Sequence, residues 1–148
     1  MSHWKYKGNE VSEIPDGMFG FVYRIVHRDS GVRYIGRKYF ESRRRKVVPG
    51  KIRRKVVVTE SNWRSYTSSS KELNALIEQH GKEAFDFEIL AFAETKGACN
   101  FLEEAVQHVS GCLYDDSYLN GNIGNGSFRS VKISNSLKES LRSIRNIL

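Results

Sequence analysis

At 148 residues the chain is long enough for one domain with a buried core. No apolar run approaches the roughly 20 residues that span a bilayer, and residues 1–16 are polar and lack the apolar stretch of a secretory signal. A membrane-spanning or secreted protein is therefore excluded as an expectation, and the expected location is a cytoplasm. Cys99 and Cys112 are the only cysteines, with no CxxC and no histidine beside either; they read as reduced, partly buried thiols rather than a disulfide or a metal site.

The pattern in chain order begins with residues 19–27 and 32–38, two β-rich runs around the turn signal Asp29-Ser30-Gly31. The hairpin sets the phenols of Tyr23 and Tyr34 side by side, although strand tyrosines taken alone are more often packing residues. Alternation on the second strand puts Tyr34, Gly36 and Lys38 on one face and Arg33, Ile35 and Arg37 on the other. Lys38 is therefore expected beside Tyr34, and Arg37 away from it. Gly36 is expected to let a ligand backbone come close.

The charge of +7 is local. Residues 37–55 hold ten of the 24 basic residues and one acid, Glu41, while the rest of the chain has 14 basic and 16 acidic residues, a balance of −2. A run this dense repels itself unless an anion lies against it, and a phosphodiester backbone is the usual anion. RNA, an acidic protein, a membrane surface and a plain solvated loop are the alternatives. Arg37, Arg43, Arg45, Lys46, Lys51, Arg53, Arg54 and Lys55 are the candidate DNA contacts. Residues 56–66 read as extended or irregular.

Helical signals follow. Ser69 and Glu72 have capping-box spacing, Leu73, Leu76, Ile77 and His80 recur at helical intervals, and Gly81 suits the stop; His80 is expected to close the buried stripe. Residues 84–93 alternate Phe85, Phe87 and Ile89 with Asp86 and Glu88 and then turn wholly apolar, as a central strand would. A second helix is predicted over about 97–111, with Leu102, Ala105, Val106 and Val109 as its apolar stripe. At about 100° per residue, Glu104 falls opposite that stripe and Glu103 at its edge, where a carboxylate can project into a cleft. A single carboxylate in a basic cleft is a common way to hold a hard cation such as Mg²⁺; a surface glutamate is the plain alternative. Residues 118–126 form an Asn/Gly loop. Residues 134–147 form an amphipathic helix with Leu137, Leu141, Ile144 and Leu148 on one side, and Arg142 and Arg145 either meeting DNA or solvated. No repeat or linker divides the chain, which reads as one domain over 1–148 with a core at about 19–123, a basic insertion at about 37–60 and a C-terminal helix.

Four motifs stand in order: Phe21-Val22-Tyr23, Tyr34-Ile35-Gly36, Leu102-Glu103-Glu104-Ala105-Val106-Gln107 and Tyr118-Leu119-Asn120. In this order and spacing they resemble the GIY-YIG nuclease family over about residues 19–123. The stretch Trp63-Arg64-Ser65-Tyr66-Thr67-Ser68-Ser69-Ser70 is similar to a segment of phage-type members related to homing endonucleases. The resemblance implies an α+β fold, a small three-stranded antiparallel sheet flanked by helices, and hydrolysis of DNA with one Mg²⁺ or Mn²⁺ ion. It implies that Tyr23 and Tyr34 are paired active-site tyrosines, Glu103 the metal ligand and Asn120 a supporting asparagine. Arg44 matches the family arginine about ten residues past the second tyrosine; the histidines that some members use have no clear counterpart, and Tyr66 either fills that place or is a packing residue. The chain departs from the pattern twice: Phe21 and Val22 replace the naming Gly and Ile, and a Pro/Gly-interrupted segment with Arg43, Arg44 and Arg45 stands where the family has a short helix.

The resulting expectation is a phage or mobile-element DNA endonuclease, in the host cytoplasm, acting on double-stranded DNA as a monomer or homodimer. Tyr23 would be general base or water-positioner, provided nearby cations lower its pKa, and Lys38 with an arginine would hold the phosphate. A non-catalytic nucleic-acid-binding module on the same fold is the alternative, and a domain meeting an acidic protein partner is a third reading.

Overall fold

The structure is a computed structural model that describes residues 1–53, 55–121, 123 and 135–147, with no side-chain description for 135–138 and 145. Its centre is the predicted hairpin. Strands β3 (Gly20–His27) and β4 (Arg33–Tyr39) pair antiparallel in a register that sets Tyr23 opposite Gly36 and Ile25 opposite Tyr34. The turn closes at Gly31, whose φ of +75° is open to glycine without strain. Strand β7 (Phe85–Ala93) pairs antiparallel along the other side of β3, with a one-residue irregularity at Val22/Tyr23.

The sheet is larger than the three strands expected. Two short strands, β1 (Lys5–Tyr6) and β2 (Asn9–Glu10), extend it to five in the order β2-β1-β7-β3-β4, with β1 parallel to β7. The cause is Trp4, which is fully buried and donates from Nε1 to the Trp63 carbonyl at 2.6 Å. Its ring packs on Phe21, Tyr23 and Phe87 at 4.9–5.6 Å. Burying an indole of this size is among the largest single apolar gains a side chain can make, and it draws the polar N-terminal segment onto the sheet.

Helix α1 (Lys71–His80) covers the Tyr23 face through Leu73 and Ile77. Its N-cap is Ser70, whose Oγ accepts from the Leu73 N–H at 3.3 Å, so the helix starts one residue later than the Ser69/Glu72 spacing suggested. His80 is exposed rather than part of the buried stripe; it is the last helical residue, and its ring lies 4.6 Å from that of His27, which already fills the space beneath. Helix α2 (Lys96–Ser110) lies across the other face and is capped by Thr95. Its buried residues are Cys99, Glu103 and Gln107 rather than the apolar stripe read from the sequence; Val109 is 75 % exposed. Helix α3 spans Asn135–Ile147, while Ser134, Leu148 and most of the Asn/Gly loop after Gly121 fall outside the described residues. Among the described residues no helix is long and apolar enough to cross a membrane.

The basic segment also differs from expectation. Residues 41–60 form a separate antiparallel ribbon of β5 (Glu41–Lys46) and β6 (Lys55–Glu60). The β-branched run Val56-Val57-Val58-Thr59 favours the strand and stands opposite Arg45, Arg44, Arg43 and Ser42. Pro49-Gly50, read from the sequence as an interruption, makes its turn: the Lys51 N–H donates to the Val48 carbonyl at 3.2 Å, and Gly50 has φ +80°.

Candidate active site

Directly opposed residues share a sheet face. The β3–β4 register therefore sends Tyr23, Tyr34 and Lys38 to the α1 side and Ile35, Arg37 and Tyr39 to the α2 side. Because β4 ends the sheet, the two faces meet over its edge. A cavity of about 530 Å³ occupies this edge, lined by Tyr23, Tyr34, Lys38, Tyr66 and Ser69 from one side and by Arg37, Tyr39, Lys96 and Glu103 from the other. Phe19, Glu41, Ser42, Arg43 and Ser61 close it at the root of the β5–β6 ribbon.

Gly36 lies at the middle of this edge. A Cβ there would stand 2.5 Å from Tyr23 Oη, 2.7 Å from its Cζ and 3.0 Å from Tyr34 Cε1. Its lack of a side chain makes room for a phenol of this protein, not for the backbone of a ligand. The Tyr23 and Tyr34 rings are 6.4 Å apart, as diagonal neighbours rather than a direct pair, and Tyr66 meets Tyr23 edge-on at 6.2 Å. Lys38 Nζ lies 4.0 Å from the centroid of the Tyr66 ring, a cation–π contact.

The electrostatics of these groups follow from burial. Tyr23 is 1 % exposed, and burial pushes its phenol well above the usual range, with the neighbouring Tyr66, Tyr34 and Glu103 adding to the effect. Burial also raises Tyr34, partly offset by a hydrogen bond with Ser69. Lys38 is lowered by burial. The nearby cations thus do not bring either phenol toward ionisation, and Tyr23 stands as a neutral hydrogen-bonding group.

Glu103 is 7 % exposed and forms an ion pair with Arg37. Arg37 Nε donates to Tyr39 Oη at 3.1 Å, and Tyr39 Oη donates to Asn100 Oδ1 at 2.5 Å. Burial raises the Glu103 carboxyl against the opposing pull of Arg37; at Arg37 burial works against the charge, and Glu103 and Tyr39 outweigh it. The strand alternation that set Arg37 apart from Tyr34 is correct, yet Arg37 belongs to the cavity, because Glu103 reaches the edge from the same side. The Arg37–Tyr39–Asn100 chain had no signal in the spacing of the sequence.

Among the other predicted residues, Arg43 lines the cavity and Arg44 does not; Arg44 stands opposite Val57, exposed on the ribbon. Alternation separates the two arginines, so the sequence match to Arg44 falls on the residue next to the one that reaches the site. Arg45, Lys46, Lys51, Arg53 and Lys55 are exposed beyond the cavity, and Arg54 lies outside the described residues. Asn120 is not in the lining. Its amide accepts from the Ile35 N–H at 3.0 Å and donates to the Ile35 carbonyl at 2.7 Å, holding β4 between Tyr34 and Gly36.

The donor set suits a hard cation of the Mg²⁺ class. Glu103 offers carboxylate oxygens to a polar cavity, Glu41 lines the same space, and such an ion ordinarily completes its shell with water and substrate phosphate. Among the described residues no cluster of three or more His, Cys, Asp or Glu side chains is placed to hold a metal, so a phosphate would have to supply part of the shell, and Arg37 would have to share the Glu103 carboxylate.

Compared with known proteins, the chain matches the family model described as "Putative endonuclease segE, GIY-YIG domain" over residues 4–123. No curated protein and no solved structure matches it.

Proposed function

Because the chain belongs to the GIY-YIG family, we propose that it is a divalent-metal-dependent DNA endonuclease that hydrolyses phosphodiester bonds in the cavity at the edge of β4. One observation carries the reading: Tyr23, Tyr34, Lys38, Arg37 and Glu103, gathered from two strands and a helix, line a single cavity. Phosphodiester hydrolysis needs a placed water, a cationic seat for the pentacoordinate phosphate and help for the leaving oxygen. Arg37, Lys38 and Arg43 are the cations that would seat the phosphate oxygens. Tyr23, kept neutral, would orient the attacking water by hydrogen bonding, with Tyr34 and Tyr66 fixing its ring. Asn120 would act at one remove by holding β4. Glu103 would be the ligand for Mg²⁺ or Mn²⁺, which when bound neutralises charge at the phosphate and at the leaving 3′ oxygen.

A phage or mobile-element origin fits the likeness of the stretch from Trp63 to Ser70 to phage-type members. The second reading, a nucleic-acid-binding module without chemistry, draws on the Arg37–Glu103 ion pair, which occupies the carboxylate a metal would need. Cleavage of supercoiled plasmid with Mg²⁺ separates the two. The nuclease reading expects nicked or linear product, lost with EDTA, and reduced by at least about 100-fold in Glu103→Ala and Tyr23→Phe. Undiminished cleavage by Glu103→Ala would remove the metal-ligand role, and salt-sensitive binding without product under any divalent ion would establish the binding module.

A further inference from the structure

Core packing does not account for the β5–β6 ribbon. Among the described residues from 41 to 60 none is buried, and Val47, Ile52, Val56 and Val58 are 49–105 % exposed. A two-stranded ribbon alone in water is at best marginally stable. Here it is further strained by charge: eight Lys and Arg lie between Glu41 and Glu60, with no acid among them. Those two glutamates face each other at the base, so the positive potential grows toward the tip.

The root of the ribbon is firm. Strand β4 runs into β5 through Phe40, which is 1 % exposed and packs edge-on against the buried Trp63 at 5.1 Å. Past β6, the Ser61 N–H donates to the Phe40 carbonyl at 2.8 Å and its Oγ to the Tyr39 carbonyl at 2.6 Å. Tyr39, Glu41, Ser42, Arg43 and Ser61 line the cavity. The arm therefore leaves the body at the rim of the site and continues the strand that carries Tyr34 and Lys38.

We infer that this ribbon is a DNA-binding arm that lies in the major groove of the duplex beside the cleavage cavity. Six-residue strands extend about 20 Å at about 3.3 Å per residue, and a two-stranded ribbon fits a major groove about 12 Å wide but not a minor groove about 6 Å wide. Its guanidinium and ammonium groups would reach phosphates on both groove walls, and its exposed valines are suited to thymine methyl groups on the groove floor. The inference takes duplex DNA as the partner from the nuclease reading, but its test needs no turnover.

Binding is measured in EDTA by fluorescence anisotropy on a duplex of about 20 base pairs. Two variants are compared with the full chain: Arg45→Gln/Lys46→Gln/Lys55→Gln, whose side chains are all exposed, and a shortened arm in which residues 46–55 are replaced by Asn-Gly, a two-residue turn suited to the remaining register. Circular dichroism and the melting temperature of the triple variant are expected to match the wild type. We expect binding at least about tenfold weaker in both variants, and a slope of log K against log salt shallower by about 2.7 in the triple variant, at about 0.9 for each phosphate no longer neutralised. Methyl green, a major-groove ligand, should displace the wild-type protein, and the minor-groove ligand netropsin should not. Unchanged affinity and slope in both variants, absence of duplex binding by the wild type, or displacement by netropsin and not methyl green overturns the inference. A protein that binds in this way yet fails to cleave plasmid would sink the nuclease reading and leave the arm standing.

Discussion

Tyr23 is enclosed by Trp4, Tyr34 and Tyr66 and faces Gly36 across the strands. The cations that would have to lower its pKa are engaged elsewhere: Lys38 lies over Tyr66 and Arg37 on Glu103. Burial wins, and the folded state holds the Tyr23 and Tyr34 protons more tightly than an unfolded chain would. The sign of the linkage follows. This contribution to stability is fully present below the unfolded phenol value of about 10 and is lost as pH rises from there through the folded value. Melting temperatures taken from about pH 8 to about pH 11 should fall steeply above about pH 10, and Tyr23→Phe should flatten that fall, with the remainder belonging to Tyr34. An equally steep alkaline loss in the Phe variant would show that Tyr23 is not the group responsible. The two tyrosines were legible as a pair because strand alternation and turn chemistry are local; their protonation was not, because it depends on aromatic rings brought from Trp4 and Tyr66.

Among the elements, β4 does the most to assemble the site, and it is held from three sides. Its inner edge pairs with β3, Gln107 of α2 donates to the Ile35 carbonyl at 3.3 Å, and Asn120 clamps both the N–H and the carbonyl of Ile35. The segment around Asn120 runs beside the strand, with the Leu119 N–H donating to the Arg33 carbonyl and the Arg33 N–H to the Ser117 carbonyl, each at 2.8 Å. Asn120→Asp would keep the acceptor for the Ile35 N–H but turn a carboxylate toward the Ile35 carbonyl. We expect a loss of about 1–3 kcal/mol in urea denaturation, together with faster hydrogen exchange at the Ile35 amide; stability and exchange equal to the wild type would show that the clamp is not needed. Helix α2 is where apolar spacing misleads. Its spacing predicts Leu102, Ala105, Val106 and Val109 as the buried face, whereas Cys99, Glu103 and Gln107, one helical turn apart, face the sheet. Amphipathic spacing points inward only when the inward face is apolar, and a helix that turns a carboxylate and an amide toward the sheet breaks that condition. The ribbon is the converse case: basic density marked the segment as a candidate binding surface, but the cross-strand pairing that makes it a β-ribbon was masked by its Pro-Gly turn.

Across the whole molecule the N-terminal segment is structural, although its composition gave no hint of that beyond Trp4. Trp4 bridges the Trp63 carbonyl, Phe21, Phe87 and Tyr23, and β1 extends the sheet at β7. Trp4→Ala should cost about 3–5 kcal/mol in denaturant unfolding and, by loosening the Tyr23 ring, should lower plasmid cleavage out of proportion to the fraction unfolded at assay temperature. A loss below about 1 kcal/mol would mean that the N-terminal segment is not part of the core. Hairpin signals, helical spacing and motif order could be read in advance because each is written within a few consecutive residues: the three central strands, the three helices, the family and seven of the fifteen residues that line the cavity followed from them. The fourth and fifth strands, the Arg37–Glu103 pair, the Asn120 clamp and the choice of Arg43 over Arg44 at the cavity could not. Arg37 and Glu103 are 66 residues apart, Trp4 and Trp63 are 59, and Ile35 and Asn120 are 85; such contacts form only when the packed sheet brings distant segments together, and nothing in the local pattern of either partner announces the other.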